Sequence, residues 1–330
     1  MQKFFKLPLD VRISFITAVV MMTSLCYVLW PIWSTRMDYT FGMITPLFVA
    51  FIIYDRKDKI FKYFFDENSE NKKSSGLIKA FFNMFFGSMI ACSLLVYFLF
   101  GFIYFMTKNA GAPIYGMTIG ATFTAFALCY FASSKNIHGQ IKPINERLDF
   151  IKLFIFPCFI WLISAPLFGA VESFISLKLL GIVAHITYNV MNFLGFTLEL
   201  KGNVIEFPNG SVGVADACSG IRSLTACIFA GSFLAAAMLD KFWKKAALIA
   251  LSMVFAFFCN LLRALFLSFW AYENGPESIS GTVHDIAGYA VLGMTVVGLL
   301  CFVYLFQINP VPKELRGKEA SPKEEESKQD

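Results

Sequence analysis

Eight stretches of this chain stay apolar for long enough to cross a lipid bilayer, and that succession leaves few folds open. They occupy residues 13–33, 41–54, 80–106, 114–132, 151–169, 224–239, 247–270 and 283–306. A bilayer core offers no water to unpaired backbone groups, so each stretch must satisfy them internally as a helix of roughly 20 residues. The second is short and must borrow residues 38–40 or lie partly in the interface; the third is long enough to tilt. With 57% of its residues hydrophobic and only 15% charged, a soluble domain of 330 residues could not hide its apolar surface. The expected fold is therefore an all-α polytopic membrane protein, a single integral membrane domain over residues 1–306. Residues 307–330, rich in Lys, Glu, Ser and Pro, are expected to form a disordered tail. The first run is too long for a signal peptide and lacks a small-residue cleavage site, so it reads as a retained first span.

The distribution of basic residues orients this frame. If eight spans are correct, 22 of the 28 Lys and Arg residues fall in the termini and loops on one side, and only Arg36, Lys108, Lys178 and Lys201 on the other. Arg222 and Arg263 lie within or at the ends of spans. This is the positive-inside pattern, and it places both termini in the cytoplasm of a multi-pass protein of the inner (cytoplasmic) membrane. The net charge of +5 is too small and too dispersed to point to nucleic acid.

Two further elements are expected on the outer side. Residues 171–194 carry apolar residues at helical spacing with Glu172, Lys178, His185, Asn189 and Asn192 among them, which predicts a helix in the outer interface or lining the bundle. A ninth span there would spoil the charge split. The alternating runs 196–200, 203–207 and 211–215, separated by Lys201-Gly202 and Pro208-Asn209-Gly210, predict a small antiparallel β meander just before the sixth span.

Of eight cysteines, seven lie inside apolar runs without metal-like spacing and read as packing residues. Cys218 differs, because it sits where polar sequence gives way to the sixth span. A thiol at a helix N-terminus faces unpaired N–H groups and the positive end of the helix dipole, and Arg222 adds a charge one turn on, so the thiolate is favoured. In the seventh span, Arg263 sits in apolar sequence with Asn260 three residues earlier on the same face. An arginine there costs on the order of 2.5–3.5 kcal/mol on insertion scales, so it either has a partner or a task, or snorkels to the outer interface. His284, followed by Asp285, opens the eighth span. Cysteine, arginine and histidine thus come to one membrane level. A thiolate can attack a peptide carbonyl, a histidine can carry the proton, an arginine can stabilise the oxyanion, and Asp285 or Asn260 can orient them. A metal site built on Cys218, Cys259 and His284 lacks ligand spacing, and no cofactor motif is present.

These residues resemble the exosortase/archaeosortase family. The likeness rests on Asp216-Ala217-Cys218-Ser219-Gly220-Ile221-Arg222-Ser223, on Asn260-x-x-Arg263 and on His284-Asp285-x-x-Gly288, in that order on successive spans. An early segment, Asp38 to Leu47 followed by Arg56-Lys57, also resembles the family's. Phe41 stands there where the family commonly has histidine, so any role of that histidine is absent. The clear likeness covers 38–54 and 180–300. It implies a membrane cysteine transpeptidase or protease whose catalytic part is about 171–306. Cys218, Arg263 and His284 would be its catalytic set, supported by Ser219, Arg222, Asn260 and Asp285. Its partners would be exported proteins with a C-terminal sorting signal: a short motif, often Pro-Glu-Pro, then a transmembrane helix and a basic cluster. The family is linked to surface attachment and exopolysaccharide production. The acceptor nucleophile, whether water, lipid or amine, is left open. A transport or non-catalytic component of exopolysaccharide export is the alternative, but it should carry polar residues across the bilayer midplane rather than gathered at one level.

Overall fold

The computed structural model describes residues 5–66, 76–108, 111–208, 210–213 and 220–308. The first helix, α1 (Leu9–Thr35), leads through a 3-10 segment (Met37–Ile44) into α2 (Thr45–Asp55), whose Pro46 occupies the start of the helix, where its missing N–H costs nothing. Then come α3 (Lys57–Phe65), α4 (Gly76–Thr107), α5 (Ala112–Ala132), α6 (Ile144–Lys152), α7 (Ile155–Ser164) and α8 (Gly169–Phe193). Three short strands follow, β1 (Glu199–Lys201), β2 (Val204–Phe207) and β3 (Gly210–Gly213), and after them α9 (Gly220–Met238), α10 (Phe242–Asn274), a 3-10 turn (Pro276–Ile279) and α11 (Thr282–Gln307).

Contacts between helix ends divide the bundle into two ends. At the basic end, Ser134 donates to Asp10, Arg56 to the carbonyls of Leu153 and Ala236, and Lys244 to that of Phe306. At the other end Arg36 pairs with Glu172, the Leu167 N–H donates to Tyr39 Oη, and Phe196 packs edge-on against Phe269 and Tyr272. Among the described residues, eight segments run between these ends: α1, the 3-10 segment with α2, α4, α5, α7, α9, α10 and α11. This arrangement is roughly consistent with the eight expected passes.

Length alone would have counted differently. Seven elements are long and apolar enough to cross a membrane, among them α8, whereas α7 and the apolar part of α9 are shorter. The ends of α8 settle its path. Glu172 at its start meets Arg36, and Phe196 just past its end meets α10 near Tyr272, so both ends lie at the same end of the bundle. The helix lies across that end, as expected for 171–194. The fifth run, 151–169, was expected to be one helix and is not. Its first residues belong to the amphipathic α6, and the apolar helix that follows is only Ile155–Ser164. Pro166 ends that helix: a proline excludes the residue before it from helical geometry, and Ala165 is extended at φ −94°, ψ 146°.

The strands form one antiparallel sheet in the order β1-β2-β3, with Leu200 opposite Ile205 and Ile205 opposite Val212. Gly202 makes the first turn at φ +63°, a conformation that side chains resist. The alternation separates a buried face (Ile205, Phe207, Val212) from a polar one (Glu199, Lys201, Glu206), where Lys201 and Glu206 pair at 2.6 Å. The buried face closes one core cluster with Leu180, Val183 and Met191 of α8, Ala264, Leu267 and Ala271 of α10, and Ala287 of α11. The sheet therefore sits on the same end of the bundle as α8. The expected tail beyond Ile308 lies outside the described residues.

Candidate active site

The seventh pass brings Arg263 toward the sheet end, one turn before Leu267 in the cluster beneath the strands. Helical periodicity puts Asn260 on the same face of α10, and Asn260 is buried. The next pass begins at Thr282, after Gly281 has reversed the chain at φ +67°, and so carries His284 in its first turn. Here the two predicted residues meet: Arg263 Nη2 lies 3.0 Å from His284 Nε2.

A guanidinium has only donors, so in this contact Nε2 is the acceptor. Nδ1 faces Asp285 Oδ1 at 3.6 Å, too long for a hydrogen bond but near enough to favour this orientation. Arg263 does not simply snorkel free of the bundle, since its Nε is shielded from solvent and has no hydrogen-bond partner among the described residues. Gly288, one turn on from His284, lies against the guanidinium, and a Cβ there would stand 3.6 Å from Nη2.

Cys218 and Ser219 lie outside the described residues, as does the side chain of Arg222. What is described are the two flanks of that segment: β3, which ends at Gly213, and α9, which begins at Gly220. Gly210 at the start of β3 packs beside Pro276, in the 3-10 turn that precedes α11, and α9 packs against α10 and α11. Both flanks thus belong to the end of the bundle that carries Arg263 and His284.

The remaining candidates stay apart from this pair. His185 is exposed on α8, with Nδ1 2.8 Å from the Gly181 carbonyl, and His138 lies in the loop after α5. Cys227 and Cys259 are buried. Sequence reading did not find the support beneath α9. Tyr39, Phe41 and Phe48 of the early segment pack in series toward it, with Phe41 and Phe48 against Phe229 and Phe48 stacked on Phe233. Gly42 sits so close to the Trp33 ring that a Cβ would collide with it. The aromatic spacing was a visible signal; its partner on another pass was not.

The model of the transmembrane exosortase family (Exosortase_EpsH) matches residues 33–301, which includes the passes between the two stretches of clear likeness. A protein of Methanocaldococcus jannaschii named "Probable archaeosortase E" is 27% identical over 168 residues, or 51% of this chain and 83% of that one. No solved structure matches.

Proposed function

From its membership of the transmembrane exosortase family, to which the chain belongs, we propose that this multi-pass membrane protein is a cysteine transpeptidase or protease acting on C-terminal sorting signals. The observation that carries the proposal is the 3.0 Å contact between Arg263 Nη2 and His284 Nε2, beside the two flanks of the segment that holds Cys218.

The chemistry follows from those groups. The Cys218 thiol gives its proton to His284 Nε2, and the sulfur adds to the scissile carbonyl carbon, whose oxygen becomes an oxyanion. Arg263, which lies against Nε2 at rest, turns to the substrate carbonyl as it binds, which frees Nε2 for the thiol proton, and then holds the oxyanion. Collapse of the adduct breaks the C–N bond, the imidazolium returns its proton to the leaving amine, and a thioester to Cys218 remains. An incoming nucleophile, whether water, lipid or amine, then takes the acyl group and restores the thiol. Asn260 and Asp285 act as positioning residues, and Ser219 and Arg222 flank the nucleophile.

The sorting signal would be a short motif followed by an apolar helix and a basic cluster, so the substrate helix enters sideways from the lipid. The sheet end would face outward from the inner membrane, with both termini cytoplasmic. Cysteines introduced at Ser69 and at Asn209 test this orientation. An impermeant reagent applied to intact cells should label the second and not the first, and the reverse would invert the arrangement.

The activity is tested with an exported reporter ending in Pro-Glu-Pro, an apolar helix and an arginine cluster. Mass analysis should show it shortened at the motif. A new C-terminus bearing a free carboxylate identifies water as the acceptor, a heavier one identifies transfer, and an intact reporter rejects the reading.

A further inference from the structure

The two edges of the small sheet are unlike. The β1 edge carries Glu199 and Lys201, charges that bridge to one another and to Glu206 and so blunt it against further pairing. The β3 edge is Gly210-Ser211-Val212-Gly213, small and uncharged, and its outer face is exposed at Ser211. Glycine in a strand marks a place where another backbone can come close.

The register tells which groups this edge offers. Phe207 opposite Gly210 closes a two-residue hairpin, so that pair exchanges both of its backbone bonds, and Ile205 with Val212 is the next to do so. Ser211 and Gly213 therefore point their N–H and C=O groups away from β2, and no described residue takes them up. The strand continues directly into the segment that holds Cys218, and it touches the turn that leads into His284.

We infer that the β3 edge is the docking site for the substrate's sorting motif, which binds in extended form as a fourth, added strand. This deepens the function proposed above and rests on it. Main-chain pairing with Ser211 and Gly213 lays the peptide alongside the chain that runs to Cys218, so register on the sheet sets which carbonyl meets the thiol.

The test uses the Pro-Glu-Pro reporter with full-length enzyme in micelles. Ser211→Pro removes an outward N–H and leaves the bonds to β2 in place. The reporter concentration for half-maximal processing should rise on the order of tenfold, with the maximal rate per inserted enzyme within about twofold. A second measurement needs no protein variant: blocked ten-residue peptides centred on Pro-Glu-Pro compete with the reporter, and single N-methyl groups are walked along them. The prolines lack N–H and share one side of an extended chain, so the glutamate N–H is the one that faces β3. N-methylation at the glutamate should weaken competition on the order of tenfold, whereas N-methylation two residues before the first proline or two after the second should not. Equal effects at every position, or a Ser211→Pro enzyme with wild-type half-saturation, would overturn the docking proposal. Either result leaves the transpeptidase reading standing, because that reading falls on different outcomes: an intact reporter with wild-type enzyme, or normal processing by Cys218→Ala.

Discussion

Both ends of the bundle hold arginines among their helices, fully buried at one end and partly buried at the other, and their acceptors differ. At the basic end Arg56 gives its guanidinium to the carbonyls of Leu153 and Ala236, joining the end of α2 to the start of α7 and the end of α9. Arg147 donates to the Tyr130 carbonyl at 2.9 Å and lies over the Tyr130 ring. Burial pulls the Arg147 guanidinium below its ordinary value and pushes the neighbouring Tyr63 hydroxyl well above its own, so Tyr63 stays a neutral donor to the Ser133 carbonyl. At the sheet end Arg263 meets a side-chain acceptor, the imidazole Nε2 of His284. An unpartnered Nε does not distinguish the two ends, since Arg147 has one as well. The partner does. A backbone carbonyl is an acceptor only, whereas an imidazole is also a base, and under the proposed mechanism it must release its arginine to take a proton. Burial of an arginine is therefore no sign of catalysis until its acceptor is known.

The contrast yields a graded set of outcomes. Cys218→Ala should give the largest loss, with processing down by at least about 10³-fold in a protein that still inserts. Cys259→Ala, which alters only packing, should keep its activity, and normal processing by Cys218→Ala would remove the nucleophile from the scheme. Arg263→Lys keeps the charge and loses the planar fork, so the rate per inserted enzyme should fall on the order of 10²-fold, with Arg263→Ala lower still. A wild-type rate for the lysine variant would place Arg263 with the structural arginines and leave a Cys218–His284 dyad. The smallest catalytic effect is expected at the other end. Arg56→Ala strands two buried carbonyls and should cost about 2–4 kcal/mol of stability, seen as a lower melting midpoint in detergent. Its rate per folded enzyme should stay within about twofold. A specific rate that fell as far as that of Arg263→Lys would erase the distinction between the ends.

The passes were legible because a membrane helix is a local object: apolar length and internal hydrogen bonding decide it, and both are written in consecutive residues. Even the end of α7 has a local cause in Pro166. The meander was legible for the same reason, through alternation and turn residues, although the strands begin and end a residue or more from the expected limits. The path of α8 shows where such reasoning needs help, since by length and composition it qualifies as a span. The uneven distribution of basic residues argued against that crossing, and the Glu172–Arg36 pair supplies the geometric ground.

The sequence by itself determined that the chain enters the membrane repeatedly, which residues are candidates for the chemistry, and that Arg263 and His284 come to one level on adjacent passes. It could not say that they touch. Contact depends on how each helix is rotated about its axis and on how α10 and α11 pack, and these follow from side-chain fit among Ala264, Leu267, Ala271 and Ala287 under the sheet. The same limit separates Arg56 from Arg263. Their acceptors lie on other elements, at Leu153 and Ala236 for one and His284 for the other, and only the packed bundle decides which acceptor each guanidinium meets.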